Sequence, residues 1–405
     1  MLAASSMFQN REKWKPHWNK VLVFLFIATY FLNGVTRYKH IIEILMILTV
    51  IYQFARAPKS YFPLYKNTIF YAILLLSVVL VYSILISPDM RISFKEFNNT
   101  VLKGFLAYTL LIPVLLKDES KENIQKLILF SFLSSLCLRS IGEIIIYIDN
   151  YSHGIMPFES YANRHVSDSL VFLFPALLSL WLLKGPKYKA AFFALSIVFL
   201  FLLLGSLSRG AWVAVFIIGI LWAILNRQWK LLATGAIILA IAAAYVVTQK
   251  NHSSNRESLL YKLQQTDSSA RYSNGTQGAA WILVTENPVK GYGYGDDIYH
   301  EVYNKRVIDY PSWTFKKSIG PHNLVLYIWF GAGLLGLLAL LSLYWVIAKE
   351  SAKNAFKRSD APAYDAHLLI LLSFIGFYII RGSFEQVEIS HLGIYAGFLL
   401  ALKNK

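Results

Sequence analysis

Cysteine is almost absent from this chain of 405 residues. Cys137 stands alone, so no disulfide can close within the chain and a zinc ribbon is excluded. Charge is scarce as well: 15% of residues are charged, where a soluble domain carries about 25%. With 56% hydrophobic residues and a mean hydropathy of +0.47, that shortage excludes a disordered chain, a disulfide scaffold and an ordinary soluble enzyme. The chain contains no HExxH, GxSxG or Walker loop, no internal repeat and no low-complexity segment. Acidic residues are the scarcer sign, 23 against 39 basic, for a net charge of +16. In a soluble chain such a surplus would suggest nucleic acid, so where the basic residues fall decides its meaning.

Apolar runs are what the chain has in quantity. Candidate spans fall at 21–36, 41–55, 68–86, 99–116, 127–148, 166–183, 190–206, 210–225, 231–248, 322–348, 366–380 and 390–402. A helix crosses a bilayer with about 20 apolar residues. Unpaired strands cannot lie in lipid, and no alternating ten-residue pattern suggests a barrel. The expected fold is therefore all-α, a polytopic membrane protein with about 12 transmembrane helices. Residues 1–248 would supply helices 1–9, residues 249–321 a large loop subdomain, and residues 322–405 helices 10–12. The first run follows a basic head and lacks a small-x-small cleavage site, so it reads as an anchor with a cytoplasmic N-terminus. That orientation puts 21 basic residues in cytoplasmic segments and seven in the short outer loops, as the positive-inside rule requires. Anionic membrane lipids at the inner leaflet then account for the basicity, and nucleic acid is not needed. Trp14, Trp18, Trp229 and Trp345 would form an interfacial belt on that side.

The stretch between Thr248 and Pro321 is too long to be a bare connection. It holds nine basic and seven acidic residues, and the orientation above places it outside. Ser258 to Gln265 has a helical apolar pattern. Gly278 to Thr285 suggests a second helix, ended by Asn287-Pro288. A small helical outer subdomain is expected here.

The strongest local signal is Pro321-His322-Asn323, followed by Gly333 and Gly336. Pro321 suits a helix start. His322 would then sit in the first turn, where the helix dipole disfavours the imidazolium and leaves a ring able to accept a proton. A plain interfacial capping histidine is the competing role. Gly333 lies 11 residues deeper, about 16 Å by helical rise, so the glycines read as close helix packing, with Ala332 and Gly336 four apart. Outer arginines come next: Arg209 in Ser208-Arg209-Gly210-Ala211-Trp212, Arg271 beside Tyr272, and Arg164 before the sixth run. A guanidinium fork suits a diphosphate, although lipid headgroups would also hold such residues. Glu385 follows Arg381 and reads as its ion-pair partner; Arg139 and Glu143, four apart, should neutralise one another inside the bundle. Gly291-Tyr292-Gly293-Tyr294-Gly295 mimics a phosphate loop without the surrounding βαβ unit. Asp296-Asp297 lacks a supporting ligand cluster, so no metal and no cofactor is expected.

A His-Asn pair, nine residues, then Gly-x-x-Gly resembles a signature of the bacterial O-antigen ligases. The Ser-Arg-Gly-x-Trp turn and Asn287-Pro288 followed by Gly291 and Gly293 resemble the same family, from about Arg164 to Glu385. The resemblance implies a GT-C-like membrane glycosyltransferase of the bacterial inner membrane with a helical periplasmic subdomain. Its donor would be a glycan on undecaprenyl diphosphate and its acceptor lipid A-core. His322 becomes the general base and Arg209 and Arg271 the diphosphate-binding pair, with Arg164, Glu385, Asn323 and Tyr272 as substrate-binding residues. Two alternatives remain at this stage: a polymerase of the same superfamily, and a lipid-linked glycan transporter. Against the transporter, the suspicious residues gather at one surface and not at the midplane.

Overall fold

The computed structural model of the protein describes residues 17–248, 258–265, 269–355 and 364–403, and among them every regular element is helical. The basic head with Arg11, Lys13, Trp14 and Lys15, and Lys357, Arg358 and Lys405, lie outside the described residues.

Helix α1 covers 17–30 and α2 covers Thr36–Arg56. The first run, expected at 21–36, thus stops early because Gly34 turns the chain at φ +73°. Helix α3 is Thr68–Leu85, capped by Asn67, whose side chain accepts from the Ile69 and Phe70 N–H groups. Helix α4 starts at Met90–Phe97, widens into a π-helical stretch at Asn98–Leu106 and continues through Ala107–Leu115. Then come α5 (Lys121–Ser152), α6 (Ser167–Leu180), α7 (Pro186–Gly205), α8 (Arg209–Leu225) and α9 (Trp229–Thr248). In the large loop lie α10 (Thr276–Glu286) and α11 (Asp296–Arg306). The chain ends in α12 (Leu324–Ala355), α13 (Ala366–Phe374) and α14 (Ser390–Lys403). Helix α13 passes through a second π-helical stretch, Ile375–Ile380, and a 3-10 turn, Arg381–Ser383.

Each of the twelve apolar runs is helical. Seven helices (α2, α3, α5, α7, α9, α12 and α13 with its continuation) are long and apolar enough to cross a membrane, and α8 is a shorter apolar helix. The interior helices are the short ones: α6 and α14 have 14 residues each, and all but Asp168 and Lys403 of these are buried. Helix α9 buries none of its residues. A helix apolar on every side is one enclosed either by its neighbours or by lipid. On α14, Gly393 and Gly397 meet α4 so closely that a Cβ would lie 2.3 Å from the Phe105 carbonyl and 2.7 Å from that of Tyr108. Small residues four apart let backbones approach in this way.

Helix α12 is not the uniform helix the pattern suggests. Gly333 sits at φ +61° inside it, and a Cβ there would meet the Val289 carbonyl at 2.0 Å. The segment from Asn287 to Gly295 runs along this break as a backbone seam. The Tyr292 N–H donates to the Phe330 carbonyl at 2.8 Å, Gly293 N–H to Gly331 at 2.9 Å and Leu334 N–H to Val289 at 3.2 Å. The role of Gly333 is therefore to admit a loop and not to pack a second helix. The glycine-tyrosine run is the other half of that seam. The expected helices of the large loop are present at Leu259–Gln264 and Thr276–Glu286. Helix α11 was not expected, and Asp296 and Asp297 form its first turn, where carboxylates suit the helix dipole. Ala279, Leu283, Ile298, Tyr299, Tyr303 and Trp313 make a second core, into which α12 sends Phe330.

Candidate active site

Several helix ends meet around the turn after α13. Arg209 opens α8, Arg164 precedes α6, His322 precedes α12, and Glu385 follows the last turn of α13. The side chains of Arg164 and His322, with Arg271 and Arg381, converge on the Glu385 carboxylate. Oε1 accepts from Arg164 Nη2 at 2.6 Å and lies 3.9 Å from Arg271 and 3.7 Å from Arg381. Oε2 is bonded to His322 Nδ1. Burial on its own would raise the Glu385 pKa. The His322 hydrogen bond and the charges of Arg381, His322 and Arg164 outweigh it and hold the pKa at about 2. An ionised carboxylate only accepts, so Nδ1 of His322 is the donor; in the neutral ring Nε2 then carries the lone pair. Among the described residues, Nε2 makes no hydrogen bond.

His322 does not sit in the first helical turn. It stands before the helix at φ +48°, and Asn323 is the cap, its Oδ1 accepting from the Leu326 N–H at 3.0 Å. Asparagine is the stronger helix starter, which moves the start past Pro321. The left-handed backbone is uncommon for a histidine, and such residues collect at functional sites. Gln277 fixes the turn by donating to the carbonyls of His322 (2.9 Å) and Ser383 (2.8 Å).

Arg164, Arg209, Arg271, Lys262, Tyr272 and Glu385 line one cleft of about 300 Å³. Four cations face one carboxylate, an excess of positive charge that suits a polyanion. Burial is the largest influence on Arg271 and draws its pKa down. Glu385 opposes this, and the nearby Arg164 and Arg209 add to it. Arg271 Nη1 donates to the Phe384 carbonyl at 2.6 Å, and Arg209 Nη1 to that of Gln265 at 2.8 Å. The Ser208–Trp212 turn explains itself residue by residue. Ser208 Oγ accepts from Arg381 (2.7 Å), Arg209 faces the cleft, and a Cβ on Gly210 would lie 2.8 Å from Phe384. Trp212 donates to the Leu203 carbonyl at 2.7 Å, tying α8 to α7.

Of the residues expected at the site, Arg164, Arg209, Arg271, Tyr272 and Glu385 share the cleft, and His322 joins them through Glu385. Asn323 does not line the cleft. Glu385 is less the partner of Arg381 than the hub of His322 and Arg164. Arg381, 3% exposed, donates instead to Asp168 Oδ1 (2.8 Å), Ser167 Oγ (2.9 Å) and Ser208. Sequence reasoning missed this role of Arg381, and missed Lys262 and Gln277. The partners of Arg381 and Gln277 are too distant along the chain to leave a spacing signal. Arg139 and Glu143 pair at 2.7 Å as expected, and Glu143 also meets His165 at 3.0 Å.

The family described as O-antigen ligase matches residues 192–341, a stretch that includes Arg209, Arg271 and His322. Over 404 residues, 100% of both chains, the protein is 64% identical to the O-antigen ligase of Salmonella typhimurium.

Proposed function

The chain belongs to the O-antigen ligase family and is a transferase; on that premise we propose that it moves a polysaccharide from undecaprenyl diphosphate to an outer-core sugar of lipid A-core. The reaction would take place at the periplasmic face of the bacterial inner membrane. Twelve spans in a GT-C-like arrangement, with both termini cytoplasmic, fit the bias of basic residues toward one set of loops.

The observation that carries the reading is the His322–Glu385 contact beside a cleft of arginines. The acceptor hydroxyl gives its proton to Nε2 of His322 while its oxygen attacks the anomeric carbon. The bond from that carbon to the diphosphate oxygen breaks, and its electron pair stays on the diphosphate. Attack from the face opposite the leaving group inverts the anomeric carbon. Glu385 fixes the imidazole's orientation and stabilises the imidazolium, as a carboxylate does behind a catalytic histidine. Arg209 and Arg271, with Arg164 and Lys262 beside them, bind the diphosphate and stabilise the charge growing on it. Because guanidinium groups supply that charge, neither a divalent metal nor ATP is required.

The test is reconstitution of the purified protein with lipid-linked glycan and lipid A-core, scoring the joined product. Transfer without added nucleotide and undiminished by a chelator is expected. Lengthening of the lipid-linked glycan without joining would identify a polymerase. Full loss in chelator, restored by a divalent ion, would overturn metal independence.

A further inference from the structure

Arg164 and His165 are neighbours in one 3-10 turn, yet they face different spaces. Arg164 lines the cationic cleft, whereas His165 lines a cavity of about 730 Å³. Arg381 separates the two, with Nε on Asp168 of the cavity wall and Nη1 on Ser208 of the cleft wall. The cavity falls within the volume range of small-molecule sites, and no step of the reaction above uses it.

Three independent features mark it as built. First, both π-helical stretches border it, Asn98–Leu106 through Asn99, Thr100 and Gly104 and Ile375–Ile380 through Phe377. Such stretches are rare and are frequent at functional sites. Second, polar groups on its wall are left unused. The Lys39 ammonium and the Glu96 carboxylate make no hydrogen bond or ion pair among the described residues. Nε of Arg139, a residue 4% exposed, is buried without a partner. Third, aromatic and polar groups alternate there. Tyr30, Phe31 and Phe377 pack around His391, with centroids 5.0 to 5.2 Å from its ring, and Glu43 and Glu388 stand close by.

Aromatic faces beside carboxylates, an amide and an ammonium match a sugar, whose rings present C–H faces and whose edges present hydroxyls. The same carboxylates repel a diphosphate. We propose that this cavity binds sugar rings of the acceptor, the rings behind the reacting hydroxyl. The proposal rests on the transfer reaction above. Inversion requires leaving group and nucleophile on opposite faces of the anomeric carbon, and the cleft and the cavity lie on opposite sides of Arg381.

The test is steady-state kinetics of the reconstituted full chain carrying Lys39→Gln, Glu96→Gln or Asn99→Trp. The first two remove groups without protein partners and so spare the fold, and the third narrows the cavity. Each should raise the acceptor KM by about tenfold, the first two through the loss of one charged hydrogen bond and the third by excluding the ring, and leave the donor KM and the kcat at saturating acceptor unchanged. A rise in donor KM, or no change in either KM, would overturn the proposal. Wild-type protein that joins no glycan to lipid A-core would instead sink the reaction itself, so the two failures are distinguishable.

Discussion

On one side of Arg381 lies a cleft of about 300 Å³ in which four cations surround one carboxylate. On the other lies a cavity of about 730 Å³ whose wall mixes aromatic rings with Glu43, Glu96, Glu388 and Lys39. The cleft holds its charges ready for an anion, and its geometry is set by short contacts between helix ends. In the cavity Glu43, Arg139, His165 and Asp168 are held in pairs, while the Lys39 ammonium and the Glu96 carboxylate have no partner among the described residues. A single buried guanidinium can separate the two because it has donors for both walls at once.

The comparison is tested most severely at His322. His322→Ala should lower the rate of transfer by about a thousandfold, the scale of general base catalysis, with donor binding retained. The joined product on a gel, set against donor binding measured separately, checks this. Arg271→Ala should lower kcat/KM by about a hundredfold, as loss of one preorganised charge does. Arg271→Lys should restore only part, because an ammonium cannot reproduce the fork. Normal activity in either variant would take the diphosphate out of the cleft.

Arg381→Met attacks the partition. It leaves Asp168 and Glu385 short of a buried cation, and should cost about 3 kcal/mol of stability, read as a lower melting temperature in detergent. Glu385→Gln should lower the melting temperature at neutral pH, and its signature is that this loss fades in acid. The folded Glu385 pKa of about 2 is below its ordinary value. Its stabilising contribution is therefore complete above the ordinary carboxylate range and disappears as pH falls towards 2. The melting-temperature gap between wild type and Glu385→Gln should close over that window. A gap that persists at low pH would mean that Glu385 is not held ionised.

The cleft was legible in the sequence and the cavity was not, for a physical reason. Arg209, Arg271 and His322 sit in short local motifs whose turns can be read from a few residues, and each of the twelve apolar runs announced a helix. The cavity draws its wall from α1, α2, α4, α5, α6, α13 and α14, with no motif in any of them. Its Lys39 and Glu43 instead masked the true start of α2, which begins at Thr36 and not near 41. The seam beside Gly333 was hidden likewise, because a glycine in an apolar run looks the same whether it admits a helix or a loop. Helix α11 had a signal that went unread: paired aspartates after a glycine, with Lys305 and Arg306 at the far end.

That seam has a practical meaning for anyone recombining this chain with its relatives. Hydrogen bonds join Tyr292, Gly293 and Val289 to Phe330, Gly331 and Leu334, the last as donor to Val289, so the loop and the first third of α12 are interleaved. A crossover placed at Pro321 would separate the two strips of a zipper, whereas one placed beyond Leu334 would carry both across. Chimeras joined at the first point should misfold, and those joined at the second should keep the histidine where its donor chain had it.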